Sequence, residues 1–153
     1  MDGKYGNSIP FFGFERQGAP VTAFVRIDDK PIRPKNRVYN PNAVIVLDPT
    51  IMNAVDVFEG IEENSILIIN TKQDVENIKL PENIKKAVTV DATKLAIKLL
   101  SKPITNTIML GAFVKATQWV SLERVSEKVL ELWGEKNKQA VIQGYNEAKI
   151  FNL

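Results

Sequence analysis

The residues best suited to chemistry lie in one ten-residue segment, residues 11–20. It holds adjacent opposite charges, Glu15 and Arg16, among three phenylalanines, two glycines and a proline. An arginine can bind a phosphate or carboxylate through two parallel hydrogen bonds, and the glutamate can orient a partner group. The alternative, which we favour, is a structural pair that fixes the loop against a neighbouring chain. The candidate interface or site-proximal residues of the loop are Phe12, Gly13, Glu15, Arg16, Gly18 and Pro20.

A second set of polar candidates follows three apolar runs of the sequence. Asp48, Asn70 and Asp91 each come directly after such a run. Ligands of open α/β sheets gather at the carboxyl ends of strands, so these side chains could hold magnesium or a ribose. Helix capping is the favoured interpretation, because Asp and Asn readily accept hydrogen bonds from the first amides of a helix. No second carboxylate stands at metal-site spacing, and we assign no catalytic, metal or cofactor-binding residue.

Composition excludes several classes of enzyme. The sequence contains no cysteine and no histidine, so it has no thiol nucleophile, no cysteine-held iron–sulfur cluster and no histidine base. It also lacks the glycine-rich motifs that cradle nucleotide phosphates. The net charge of +2 is too balanced to indicate a nucleic-acid partner. No apolar run is long enough to span a membrane and no signal-peptide pattern is visible, so a cytoplasmic location is the default.

The elements that must position these candidates alternate between apolar strands and helical patterns. Strands are predicted at residues 21–27, 43–47, 65–69 and 87–90, with a hairpin arm returning near residues 31–33. Helices are predicted from Pro49 to about Phe58 and over residues 93–100. This alternation predicts a single α/β domain over residues 1–153, with a mostly parallel sheet between helical layers.

The last third of the chain is predicted to be helical. A helix that starts at Thr105 or Asn106 is apolar nearly all round, so it is buried against the sheet or another subunit. Gly111 inside it indicates a close backbone approach. Ser121 is predicted to cap the next helix and Gly134 to end it, with a final helix over residues 136–149 and a short tail.

Several motifs, in order along nearly the whole chain, resemble one family. They lie at residues 12–21, 24–32, 46–50, 90–93 and 103–113. The first is similar to the Phe-Gly-Pro-Glu-Arg-Arg-Gly-Ala-Pro-Val signature of the gamma subunit of 2-oxoacid:ferredoxin oxidoreductases. The resemblance implies a Rossmann-like α/β fold.

The resemblance also implies a role in a larger enzyme. Such complexes oxidatively decarboxylate pyruvate or a related 2-oxoacid with coenzyme A, giving an acyl-CoA and carbon dioxide while reducing ferredoxin. Thiamine diphosphate, magnesium and iron–sulfur clusters belong to the partner subunits, which are alpha, beta and a ferredoxin-like delta subunit. The gamma chain itself is expected to carry no cofactor and to assemble the complex. Asp48, Asp91, Asn106 and Gly111 complete the candidate interface or site-proximal residues.

The sequence departs from the family pattern in two places. Phe14 and Gln17 replace a proline and an arginine of the signature, which removes one cation from the loop. The family's first strand and its glycine-rich turn are also missing upstream of residues 2–5. We expect a truncation or a start-site choice; the alternatives are a sheet that closes differently or a strand supplied by a partner.

Two functions remain open at this point. The leading one is a non-catalytic subunit of a 2-oxoacid:ferredoxin oxidoreductase. The alternative is a Rossmann-like module that binds coenzyme A or a nucleotide through Asp48, Asn70 and Asp91. A free-standing enzyme is disfavoured, because the nucleophile, the base and the phosphate loop are all missing.

Overall fold

A computed structural model describes residues 3–11 and 20–153 of the chain. The chain divides into two compact units, Met1–Asn40 and Pro41–Leu153. The prediction of a single domain over residues 1–153 stays a prediction. No helix in the described part of the chain is long and apolar enough to cross a membrane.

The first unit contains a two-stranded antiparallel sheet. Strand β1 (Tyr5–Phe11) pairs with β2 (Thr22–Asp28), with Tyr5 opposite Asp28 and Phe11 opposite Thr22. The predicted strand at residues 21–27 is therefore confirmed, but its partner is β1 and residues 31–33 form no strand. Pro31 and Pro34 lack the amide hydrogens that a ladder needs.

The second unit is built on a four-stranded sheet in the order β3-β4-β5-β6. Three strands run parallel and the last strand is antiparallel to its neighbour, which confirms a mostly parallel α/β sheet. The strands are β3 (Ala43–Val46), β4 (Ser65–Asn70), β5 (Ile84–Val90) and β6 (Lys149–Asn152). The four helices are α1 (Ala92–Leu100), α2 (Asn106–Thr117), α3 (Leu122–Trp133) and α4 (Glu135–Glu147).

Alternate residues of the strands supply two separate cores. Ile68 and Val88 face a cluster with alanines of α1, α2 and α4. Leu67, Ile69 and Ala87 face the other side, where loops and short 3₁₀ segments cover the sheet. Strands buried on both faces read as continuous apolar runs, which is why their positions were predictable. The α-helices therefore cover one face of the sheet, whereas the sequence predicted helical layers on both; in the described residues, loops and 3₁₀ segments cover the other face.

The first predicted helix differs in the structure. The helix predicted from Pro49 to about Phe58 is a 3₁₀ turn, Pro49–Asn53. It ends early because the Asp56 carboxylate accepts a hydrogen bond from the Phe58 amide and forms a turn of its own. Phe58 then packs into the core on the loop side of the sheet.

Both ends of the chain contain strands that the sequence did not indicate. β1 includes Gly6 and Pro10 and has no apolar periodicity, and the predicted tail at residues 150–153 is mostly strand β6. Each forms because a neighbouring strand offers a free edge. At the opposite edge of the sheet, β3 has no partner besides β4 within the described residues.

Candidate functional site

The loop at residues 11–20 joins two paired strand ends. Phe11 and Pro20, its described ends, are exposed, and the register places Phe11 opposite Thr22. The loop therefore leaves and re-enters the β1–β2 sheet at the same end. The other loop candidates lie outside the described residues: Phe12, Gly13, Glu15, Arg16 and Gly18.

Asn70 is the polar centre at the carboxyl end of the sheet. Its amide nitrogen donates to the Leu47 carbonyl at 2.8 Å and to the Thr93 hydroxyl at 3.0 Å. Its oxygen accepts from the amides of Ala92 at 3.0 Å and Thr93 at 3.3 Å. All four hydrogen-bonding positions of this buried side chain are therefore occupied, and it ties the end of β3 to the start of α1.

The two strand-end aspartates act as caps. Asp91 Oδ1 accepts from the Lys94 amide at 3.0 Å and so caps α1. Asp48 Oδ1 accepts from the Thr50 amide at 2.9 Å and the Thr50 hydroxyl at 2.7 Å. The bond from the Thr50 hydroxyl, followed by that from its amide, holds the pKa of Asp48 below its ordinary value. The favoured interpretation of these residues, helix capping, matches this geometry.

A cavity of about 320 Å³ opens beside these caps. It brings Asp48 and Asn70 together, as the strand order predicts, whereas Asp91 is not among its lining residues. Sequence reasoning had treated Thr93 and Thr105 only as helix starts, yet both line this cavity. The full lining is Leu47, Asp48, Pro49, Asn70, Thr93, Pro103 and Thr105. Since Asn70 has no hydrogen-bonding position left, the polar side chains that the cavity offers an incoming ligand are Asp48, Thr93 and Thr105.

A second, larger groove of about 610 Å³ was not indicated by the sequence. Met52, Phe58 and Ile69 are among its apolar lining residues, and Asp56 and Lys79 are its charged ones. It was missed because residues 49–58 read as a helix rather than as a loop that folds over the sheet.

Asn106 and Gly111 lie on α2. Asn106 is the first residue of α2, and its side-chain oxygen accepts from the next amide, that of Thr107, at 2.9 Å. The N-cap position is Thr105, whose side chain makes no capping hydrogen bond. Gly111 is buried, and a Cβ placed on it would come within 2.0 Å of the Val141 carbonyl oxygen of α4. The predicted close approach is confirmed. The sequence left open whether α2 is buried against the sheet or against another subunit. In the structure, α2 packs against the sheet and α4.

Two lysine side chains, those of Lys115 and Lys4, have polar partners in the structure. Lys115 Nζ donates to the carbonyls of Ala148 at 2.7 Å and Asn146 at 3.2 Å, at the end of α4. Lys4 pairs with Asp29 at 2.6 Å. The favourable interaction of a cation with terminal helix carbonyls explains the position of Lys115.

Across residues 3–11 and 20–153, no three acidic side chains converge in a way that would hold a metal ion. The polar groups at the sheet end instead hydrogen-bond to the chain itself. What this arrangement can do is fix the shape of a surface, and no acid, base or nucleophile is positioned for catalysis in the described part.

Comparisons with known proteins point to one family. The family model described as pyruvate ferredoxin/flavodoxin oxidoreductase matches residues 1–147. The pyruvate/ketoisovalerate oxidoreductases common subunit gamma of Pyrococcus furiosus is 46% identical, over 100% of this chain and 86% of the relative. The pyruvate synthase subunit PorC of Methanothermobacter thermautotrophicus is 43% identical, over 95% of this chain and 81% of the relative.

A solved structure gives the same result. The crystal structure of the pyruvate oxidoreductase subunit PORC from Thermotoga maritima superposes with a TM-score of 0.83 at 37% identity. The match covers 97% of this chain and 82% of the other. The chain therefore belongs to the pyruvate ferredoxin/flavodoxin oxidoreductase family, as a gamma-type subunit of a 2-oxoacid oxidoreductase.

Proposed function

We propose that the chain is a non-catalytic gamma subunit that completes a complex with alpha, beta and ferredoxin-like delta subunits. The complex oxidatively decarboxylates pyruvate or a related 2-oxoacid with coenzyme A, yielding an acyl-CoA and carbon dioxide, and ferredoxin accepts the electrons. The observation that carries the proposal is the family match over residues 1–147, to relatives that are named as gamma subunits. Its location in the cytoplasm stays a prediction.

The cofactors of this reaction are assigned to the partner subunits. Thiamine diphosphate, magnesium and iron–sulfur clusters supply the carbanion and electron-transfer chemistry there. Iron–sulfur clusters are held mainly by cysteine thiolates, and this sequence has no cysteine. The P. furiosus relative is named as a subunit common to pyruvate and ketoisovalerate oxidoreductases, which supports placing the choice of 2-oxoacid on other chains.

The loop at residues 11–20 is the proposed contact with those partners. It leaves from and returns to one end of the β1–β2 sheet, and its described ends, Phe11 and Pro20, are exposed. Asp48 and Asp91 cap the 3₁₀ turn and α1 of the second unit, and Asn106 begins α2. Gly111 allows α2 to pack closely on α4.

Co-expression with the partner subunits tests this assignment. A Gly13→Ala, Glu15→Ala, Arg16→Ala triple variant should fold but assemble at least about tenfold more weakly, since hot-spot contacts typically contribute about 2 kcal/mol or more. The matched control changes two exposed charges elsewhere, Lys98→Ala and Glu127→Ala, and should assemble normally. If the triple variant assembles and turns over 2-oxoacid like the wild type, the loop is not the contact.

A further inference from the structure

The two faces of the β1–β2 sheet differ sharply in what covers them. In an antiparallel pair, directly opposite residues share a face, and successive residues alternate between the two faces. The register places Gly6 opposite Ile27, Ser8 opposite Val25 and Pro10 opposite Ala23. These six residues form one face, which we call the open face: Gly6, Ser8, Pro10, Ala23, Val25 and Ile27.

The opposite face is held by the segment that follows β2. Arg26, on that face, donates to the Asn36 carbonyl at 2.7 Å and to the Arg37 carbonyl at 3.0 Å. Asn7 donates to the Pro34 carbonyl at 3.1 Å. The Arg37 guanidinium lies 5.9 Å from the Phe24 ring centroid. Residues 34–37 thus satisfy the polar groups of this face within the first unit.

Within residues 3–11 and 20–153, no such cover lies over the open face. All its members except Ile27 are exposed, and Val25 is 60% exposed. None carries a charge, and apart from the Ser8 hydroxyl their side chains are apolar or absent. Small side chains make the surface flat. A two-stranded sheet is marginally stable in water, so covering this face with apolar surface would stabilise it.

The first unit carries a net positive charge, whereas the second is nearly neutral. Residues 1–40 contain seven Lys or Arg against four Asp or Glu, a net charge of plus three, whereas residues 41–153 have thirteen against fourteen. Lys30, Arg33 and Lys35 follow β2 and are exposed. A partner that fits the first unit therefore presents an apolar patch beside acidic side chains.

We propose that the open face is a docking surface for another subunit of the oxidoreductase, one whose contact patch is apolar and bordered by acidic residues. This inference rests on the proposed function as a subunit and adds the surface and the chemistry of the partner. A second copy of the chain fits less well, because the first units of the two copies are both positively charged and would repel each other. A nucleic acid would need cations on the face itself, and the face has none.

The experiment places one carboxylate on the open face of the full chain. Val25→Asp is compared with Val55→Asp, the same change at a loop valine that is 42% exposed in the second unit. Each variant is co-expressed with the partner subunits, and the assembled fraction is measured by native mass spectrometry, with circular dichroism as the test of folding. We expect Val25→Asp to lower assembly at least tenfold and Val55→Asp to leave it unchanged. Ser8→Glu repeats the test without removing an apolar side chain, should Val25→Asp fail to fold.

The outcomes separate this inference from the proposed function. If the wild-type chain assembles and both open-face variants assemble equally well, the docking surface is wrong while the subunit role stands. If the wild-type chain binds no oxidoreductase subunit at all, the proposed function fails first. If the wild-type chain alone forms a dimer that Val25→Asp abolishes, the occupant is a second copy and the proposal is overturned. A Lys30→Ala, Arg33→Ala, Lys35→Ala variant tests the charges. If it assembles more weakly than the wild type, and if its assembly depends less on salt concentration, acidic residues on the partner subunit are supported.

Discussion

Replacing Gly111 with alanine tests the closest contact in the helical layer. In most helix interiors this change stabilises a protein by up to about 1 kcal/mol, because alanine is the better helix former. Here the new Cβ would lie 2.0 Å from the Val141 carbonyl oxygen and 2.7 Å from the Tyr145 amide nitrogen. Both atoms belong to the backbone of α4, so neither can rotate away. We therefore expect the opposite sign, a destabilised protein.

The size of the effect follows from the displacement that the contact requires. Ordinary van der Waals contact begins at 3.4 Å, so α2 and α4 would have to separate by about 1.4 Å at this point. Overpacking of this kind costs roughly 1 to 3 kcal/mol, and immovable backbone atoms favour the upper end. After the gain in helix propensity, the net loss in the free energy of unfolding is about 2 kcal/mol. With a urea m-value of about 2 kcal/mol/M, the midpoint falls by about 1 M.

The assay is urea unfolding of the purified full chain, followed by circular dichroism. Gly6→Ala is the matched control, since a Cβ there meets nothing within 4 Å. Gly144 gives a sharper test, because its Cβ would lie 2.0 Å from the Ile108 carbonyl oxygen at the same crossing. One separation of the helices relieves both contacts, so the double variant should lose less than the sum of the single losses. An unchanged or raised midpoint for Gly111→Ala would refute the steric argument.

Three further changes address the polar groups at the sheet end and the helix ends. Asn70→Ala should lower the free energy of unfolding by about 2 to 3 kcal/mol in urea unfolding, because it leaves the Leu47 carbonyl and the amides at the start of α1 without their partner. Lys115→Met keeps the aliphatic stem but removes the bond to the Ala148 carbonyl, and should cost about 1 to 2 kcal/mol in the same assay. Asp48→Asn should lower the unfolding midpoint at pH 7 and lower it by less at pH 3. Because the pKa of Asp48 is lowered on folding, its contribution is present above the ordinary pKa of 3.8 and is lost as pH falls through the lower, folded value.

Each of these changes has its own check. Asn83→Ala serves as the control for Asn70, since the Asn83 side chain is exposed and makes one long hydrogen bond of 3.4 Å. Lys98→Met, at an exposed position of α1, serves as the control for Lys115. If either test variant has the same urea midpoint as its control, the hydrogen bonds described for that residue contribute no stability. A difference between Asp48→Asn and the wild type that is the same at both pH values would contradict the role of the Asp48 charge.

The buried elements could be predicted from the sequence because their surroundings impose a pattern. Strands covered on both faces are apolar throughout, as in β4, and the following polar residue caps the next element, as Asp91 does for α1. Gly111 predicted a close approach because no other feature of α2 explains a glycine there. These signals come from residues that are close together in the sequence, so a single sequence is enough to predict the elements.

The elements that were missed depend on neighbours distant in sequence. β1 and β6 exist because β2 and β5 offer free edges, and nothing in the composition of residues 5–11 or 149–152 requires a strand. The 3₁₀ turn at Pro49–Asn53 replaces a helix because Phe58 packs onto the loop side of the sheet. Propensity is weak beside such tertiary packing.

The sequence by itself determined the α/β class, the order of the central elements and, through its ordered motifs, the resemblance to the gamma-subunit family. It could also exclude cysteine and histidine chemistry, since neither residue occurs in the chain. Only the tertiary structure decided how the polar candidates are used. Asn70 could have bound a ligand, but its four hydrogen-bonding positions are filled by groups of β3 and α1. Which face of the first sheet is open likewise depends on the pairing register of β1 and β2 and on residues 34–37. The sequence does not show these contacts, because the partners of Asn7 and Arg26 are brought next to them only by folding.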